Sequence, residues 1–239
     1  MDDIIKNIGS LLACEYKVIP SQNSGQKVMD LYEKEKAAGE QEGFIPVILV
    51  PDEELFRRLQ KAQHPEWYLE EYKKHNGKDI LDGYLNEIKE CLKRQGESLD
   101  DVIDTVERGQ EIEGFAGFVP DDWEETLEVL LVKVPTTHPW EVFAWIPMGG
   151  WHECPPTEYM IAIMKYWYEQ YRFYPVVISG DMIEGMVPEK PKTAEEAVAI
   201  GIEHYAFCPD LIEQCCSDAC IGQWADTMMK SLIWFFWWD

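Results

Sequence analysis

GFIPVILVP, residues 43–51, decides the fold. It is a continuous apolar run rich in β-branched residues and bounded by glycine and proline. Such a run predicts a strand buried on both faces, as in a sheet covered by helices on each side. Upstream, QKVMDLYEKEKAAGEQ (26–41) turns Val28, Leu31 and Tyr32 to one side and its charges to the other, which predicts an amphipathic helix. Before it, EYKVIP (15–20) alternates like a short strand that SQNSG (21–25) breaks, and DDIIKNIGSLLA (2–13) has helical spacing. Downstream, Asp52 is placed to cap a short helix carrying Leu55, Phe56 and Leu59.

Residues 64–108 read as helical and polar-faced, an insertion between sheet elements. Pro65 suits a first turn, Ser98 and Asp101 suit a capping box, and the helix through Val102, Ile103 and Val106 is expected to end at Gly109. After an acidic DDWEE loop (121–125), EVLLVKVP (128–135) reads as a strand. The second half is expected to run strand EVFAWIPM (141–148), turn GGWHECPP (149–156), and helix TEYMIAIMKYWYEQYR (157–172) with Thr157 as N-cap. Strand YPVVIS (174–179) then turns at Gly180-Asp181 into MIEGMV (182–187). Thr193 and Glu196 box the helix containing AVAIGIEHYAF (197–207), a last helix runs from about Asp218 to Ser231, and the aromatic ending either continues it or becomes a strand, the reading that its aromatic enrichment favours. EYKVIPS to GFIPVILVP and EVFAWIPM to FYPVVIS echo one another as two β-α-β units. The expected fold is therefore α/β (or α+β), with a mixed central sheet flanked by helices on both faces and the helical insertion around 64–108. An N-terminal half, 1–135, and a C-terminal domain, 136–239, would form one compact unit.

The chain carries 45 Asp and Glu against 21 Lys and Arg, a formal charge of −24. That field repels phosphate backbones and anionic lipid, which argues against nucleic acid and membrane as partners and leaves a basic protein as the partner it would steer. Seven cysteines without a basic, apolar leader predict reduced thiols and a cytoplasmic location. At the end of the chain only Leu232–Trp238 is continuously apolar, far short of the ~20 residues of a membrane span. That run suits a core, or the contact of a homodimer.

Chemistry concentrates in MGGWHECPP (148–156). His152, Glu153 and Cys154 are adjacent, so their side chains point in different directions and only one or two could reach one ion; CCSDAC (215–220) offers Cys216 and Cys220 at i, i+4, to which Cys208 or His204 could add, but not the paired spacing of a typical zinc site. No metal is expected. The zinc-deaminase order, H-x-E followed by P-C-x-x-C, is not met. Neither a P-loop nor a dinucleotide, nucleophile-elbow or zincin motif occurs, so no cofactor is implied. Cys154 precedes a helix, as a reactive thiolate would, but a packing role suits it better without an identifiable base. The carboxylates Glu153, Asp181, Asp210 and Asp239 fall at turns, strand ends or the terminus, where binding residues gather. Trp151 and Trp238 lie beside them in sequence.

HPWEVFAWIPMGGWHECP (138–155), KYWYEQY (165–171), HYAFCPD (204–210), ADTMMKS (225–231) and WFFWWD (234–239) together resemble a bacterial family known as domain of unknown function 4253. The resemblance covers roughly residues 136–239. Its pattern matches Trp151, Glu153, Cys154, Cys208, Asp210, Trp238 and Asp239. It carries Asn where this chain has His152, so it supports no metal or base role for His152, and it implies no activity, substrate or cofactor. Two functional classes follow. The first is an acidic, cytoplasmic binding or regulatory protein, immunity-like, that engages a basic protein. The alternative is an enzyme or small-ligand binder whose aromatic-carboxylate pocket at the 148–156 turn gathers Trp151, Glu153, Asp181, Asp210, Trp238 and Asp239, with His152, Cys154, His204 and Cys208 ranked lower.

Overall fold

The computed structural model describes residues 2–120 and 125–239; all but the last residue of the acidic 121–125 loop lies outside them. Helix α1 (Asp2–Leu11) leads into strand β1 (Glu15–Ile19), α2 (Gly25–Glu42) and β2 (Ile45–Leu49). The helical stretch comprises α3 (Glu53–Lys61), α4 (Pro65–Glu71), α5 (Gly77–Gln95) and α6 (Leu99–Ile103). Strand β3 (Val129–Val134), α7 (Val142–Trp145) and α8 (Thr157–Tyr171) follow, then the hairpin β4 (Tyr174–Ile178) and β5 (Met182–Met186). The chain closes with α9 (Ala194–Phe207), α10 (Pro209–Glu213), α11 (Ile221–Lys230) and β6 (Ile233–Trp237).

The six strands form one mixed sheet in the order β1-β3-β2-β4-β5-β6. Strands β1, β2, β4 and β6 run one way, and β3 and β5 run the other. Residues 43–51 behave as their pattern requires: Val47 and Leu49 face one layer of the core, and Ile48 and Val50 face the other. Both faces carry helices, but unequally. On one face, among the described residues, α2, through Val28 and Tyr32, and the segment around Phe118 cover Ile48, Leu131 and Val176. On the other, Val47, Leu49, Leu130, Val132, Ile178, Ile183, Trp234 and Phe236 pack under α1, α3 and α8 and the helices that follow it. The 64–108 stretch belongs to this second layer, with α5 lying against α8 and α9.

Trp167 of α8 is at the centre of that layer. Its ring stacks on Phe236 at 5.4 Å and 8° and meets the edges of Phe173, His204, Phe207 and Trp234. Its indole Nε1 donates to Glu203 at 3.0 Å.

Three expectations need correction. EVFAWIPM is no strand: Pro139 starts a 3-10 turn that runs into α7, whose Val142, Phe143 and Ala144 are all buried. The second β-α-β unit therefore does not exist. The first does, as parallel β1 and β2 joined by α2, but antiparallel β3 is inserted between the two strands. Thr157 is the first residue of α8 rather than its cap, which is Pro156, and its hydroxyl donates to the Met148 carbonyl at 2.7 Å. The helix begun at Leu99 stops at Ile103, where Asp104 turns to φ 49°, well short of Gly109.

Candidate functional site

Parallel strands β2, β4 and β6 end at the same edge of the sheet, and open α/β sheets bind ligands outside such carboxyl ends. Here they open a cleft of about 880 Å³. Its walls come from segments remote in sequence: the start of α3, the 151–152 turn, the β4–β5 hairpin and the end of β6.

Asp52 assembles two of these walls. One carboxylate oxygen accepts from Leu55 N at 2.7 Å and caps α3; the other accepts from Gly180 N at 2.7 Å. The approach is so close that a Cβ on residue 180 would lie 2.4 Å from the Asp52 oxygen, which accounts for the glycine. The hairpin then fixes Asp181. Ser179 Oγ donates to one of its carboxylate oxygens at 2.7 Å, Trp237 Nε1 donates to the other at 3.2 Å, and Trp238 N donates to its carbonyl at 3.0 Å. The chain end is held in the same way, since Asp239 N donates to Asp210 at 3.0 Å.

The 148–156 stretch folds back on itself. Gly149 and Gly150 adopt φ of +96° and +76°, His152 adopts +44°, and Cys154 N closes the turn onto Trp151 O at 2.9 Å. This presents Trp151 and His152 to the cleft and sends Cys154 inward.

Of the residues singled out from the sequence, Trp151, Asp181, Trp238 and Asp239 line this cleft together with His152. Glu153 does not. It faces a neighbouring hollow with Tyr205 and Glu213, where burial, and then the charges of Asp210 and Glu213, raise its carboxyl pKa. Asp210 supports the terminus from the side. Cys154 is buried and its thiol pushed far up by desolvation, as expected of a packing residue. Cys208 is buried too, its Sγ donating to the Trp237 carbonyl at 3.0 Å. His204 lies within the aromatic cluster, accepting from Trp224 Nε1 at 2.9 Å, and complete burial holds it neutral. Among the described residues, no three of His, Cys, Asp and Glu are grouped to hold a metal ion.

Sequence reasoning missed Arg57 and the second bond of Asp52. Only the first left a visible signal, the cation-dense RRLQK (57–61) in an acidic chain.

Glu184 of β5 forms the support behind the cleft. Its carboxyl is 1% exposed and accepts from Ala116 N at 2.9 Å and Gly117 N at 3.0 Å; Gly117 lines the cleft. Burial raises its pKa against the pull of the two N–H groups. A carboxyl whose folded pKa is raised binds its proton more firmly in the native state, so stability falls as pH rises above the unfolded value of about 4.3 and levels off above the folded one. Glu184→Gln is expected to remove this contribution, and urea midpoints collected from pH 4 upward should fall less steeply with pH than those of the parent. Parallel slopes would show that Glu184 does not titrate differently on folding.

Residues 130–239 match the model of the family described as Domain of unknown function (DUF4253), which bears out the resemblance read in the second half. The match takes in the 151–152 turn, the hairpin and the β6 end, but not the α3 wall of the cleft. No curated protein and no solved structure matches the chain. Among the described residues, no helix is long and apolar enough to cross a membrane.

Proposed function

With a family match that names no activity, we propose on geometry that the chain is a small-ligand-binding protein and that its cleft takes an organic cation, an amine or a quaternary ammonium group. The observation that carries this reading is the convergence of Trp151, Asp181, Trp237 and Asp239, from separate segments, on one cleft; Trp238 borders it too, but its ring is buried against Phe207 and Phe236. Asp52, Glu53 and Glu54 add carboxylates against the single guanidinium of Arg57 and the imidazole of His152, so the lining attracts positive charge. Indole faces with carboxylates at the edge are the means by which proteins hold ammonium groups. Binding fits better than turnover, because the Asp52 and Asp181 carboxylates are each engaged by two donors within the fold. All seven cysteines are free, which suits the reducing cytoplasm we propose as its location.

The test is a titration of the protein with tetramethylammonium chloride against sodium chloride at equal ionic strength, followed by tryptophan fluorescence. Saturable quenching by the organic cation alone is expected, weakened about tenfold or more in Trp151→Ala and in Asp239→Asn. Quenching that matches sodium chloride, or that survives both substitutions unchanged, would overturn the reading. The −24 charge also suits encounter with a basic protein, the second reading. It predicts a complex that weakens steeply with salt and is indifferent to Trp151→Ala.

A further inference from the structure

Arg58 is 10% exposed at its side chain, and its guanidinium lies 4.4 Å over the ring of Trp151. Its Nε donates to Glu54 at 3.3 Å. Its Nη1 and Nη2 are buried and have no hydrogen-bond partner among the described residues. A guanidinium carries five donors and stays charged at any physiological pH, so leaving its two terminal nitrogens unmatched in a buried place is costly. The Trp151 Nε1 is likewise buried and unmatched. Every unsatisfied group here is a donor; what the place lacks is an acceptor.

The surroundings match that need. Arg58 lines a hollow of about 290 Å³ beside the cleft, and Arg57, Lys61, Gly149, Gly150 and Trp151 line it with Arg58. Three cations converge there in a chain with a net charge of −24. With its Cζ over the indole, the Arg58 guanidinium still has the N–H groups of Nη1 and Nη2 without an acceptor, and a fork-shaped acceptor matches them. Glu54 is the one carboxylate among the lining residues, and it accepts from both Arg57 Nη1 and Arg58 Nε at 3.3 Å. Those distances exceed the ~2.7–2.9 Å of a well-formed charge-assisted bond, and Glu54 is 45% exposed, so its hold on the two arginines is weak.

We propose that this hollow is a subsite for an oxyanion, a carboxylate or phosphate group, gripped edge-on by Arg58 with Arg57 and Lys61 supplying further charge. The anion competes with Glu54, the carboxylate that now accepts from Arg57 Nη1 and Arg58 Nε. The subsite stands on its own. Combined with the organic-cation reading of the cleft, on which this last step rests, it describes a zwitterionic ligand straddling Trp151, since Trp151, Glu54 and Arg57 line both spaces.

The experiment titrates the full chain with inorganic phosphate and, separately, with acetate, each against chloride at matched ionic strength, reading the thermal midpoint and tryptophan fluorescence. A saturable response to one or both oxyanions beyond that of chloride is expected, and comparing the two arms tells which is preferred. Arg58→Met is expected to weaken it at least tenfold, as the loss of charged hydrogen bonds implies. Arg58→Lys keeps the charge and loses the planar edge, so it should weaken binding nearly as far. Glu54→Gln is expected to tighten it by removing the internal competitor. If Arg58→Met does not fold, the lysine and glutamine variants decide. A response no greater than that of chloride, a Glu54→Gln variant that binds no tighter, or an Arg58 variant that binds as the parent does would overturn the subsite. None of these outcomes depends on whether tetramethylammonium binds the cleft.

Discussion

Trp167→Ala is expected to destabilise the protein by about 4–5 kcal/mol, close to the upper end of aromatic-to-alanine substitutions in cores. Total stability of a domain is of the order of 5–15 kcal/mol, so this one change takes a large part of it. The size follows from position. The Trp167 ring is fully buried, stacks on Phe236 and is met edgewise by four more rings, so no neighbour can relax into the space without breaking its own aromatic contacts. The indole also donates one of the two side-chain hydrogen bonds received by the Glu203 carboxylate, the other coming from Tyr166. Urea unfolding would report the loss as a lowered midpoint at unchanged slope. Trp167→Phe separates the two parts, keeping most of the ring while removing the N–H, and should cost about 1–2 kcal/mol. A loss below about 2 kcal/mol for the alanine variant would mean that the cluster collapses onto the gap, against the packing described.

Gly149→Ala is expected to cost about 3–4 kcal/mol and to empty the cleft of Trp151, whereas Gly150→Ala, one residue on, should cost only about 1 kcal/mol. Both glycines have left-handed φ, +96° and +76°, so both substitutions bear the same conformational penalty. They differ in space. A Cβ on residue 149 would lie 1.8 Å from the Pro155 carbonyl oxygen, while nothing stands within 4 Å of one on residue 150. The Pro155 carbonyl is backbone and is held by Gly150 N at 3.1 Å, so relief of the clash opens the turn itself. Thermal midpoints of the two variants, with quenching of the tryptophan emission as the readout of Trp151, measure the contrast. Equal losses at the two positions would show that the turn yields freely and that its shape is not fixed by the 149–155 contact.

How much of this was legible in the sequence depended on whether an element announced itself by its own residues. The run at 43–51 did, because a strand buried on both faces needs apolar residues at every position. So did the Gly180-Asp181 hairpin; the closing aromatic run, read as either a continued helix or a strand, is the strand β6. Residues 141–148 misled for the same reason that 43–51 succeeded. An apolar run of that length reads alike as a buried strand or as a buried turn of helix, and only its packing among α4, α8 and the 3-10 turn at 139–141 tells them apart. The insertion of β3 between β1 and β2 left no trace, since pairing partners are chosen by the sheet and not by the strand. In the candidate site, the turn residues Trp151, Asp181 and Asp239 could be picked out because turns at strand ends collect binding groups. Glu153 could not be separated from Trp151, two positions away, because the reversal at His152 sends them to different hollows. Arg58 was invisible because nothing in EELFRRLQK says which of its two arginines is buried against an indole.

The sheet order also sets a timetable for the nascent chain. Strand β1 is complete at Ile19 and β2 at Leu49, but the strand that joins them begins only at Val129. At the usual pace of ribosomal synthesis, of the order of ten residues per second, the two early strands wait several seconds with their facing edges unpaired. Through that interval the GFIPVILVP run, which has no polar side to show to water, is kept from other chains by whatever α2 on one face and α1 and α3 on the other can cover. The order in which the strands emerge therefore leaves β1 and β2 unjoined until β3 is made, which puts their pairing among the late, long-range steps of folding.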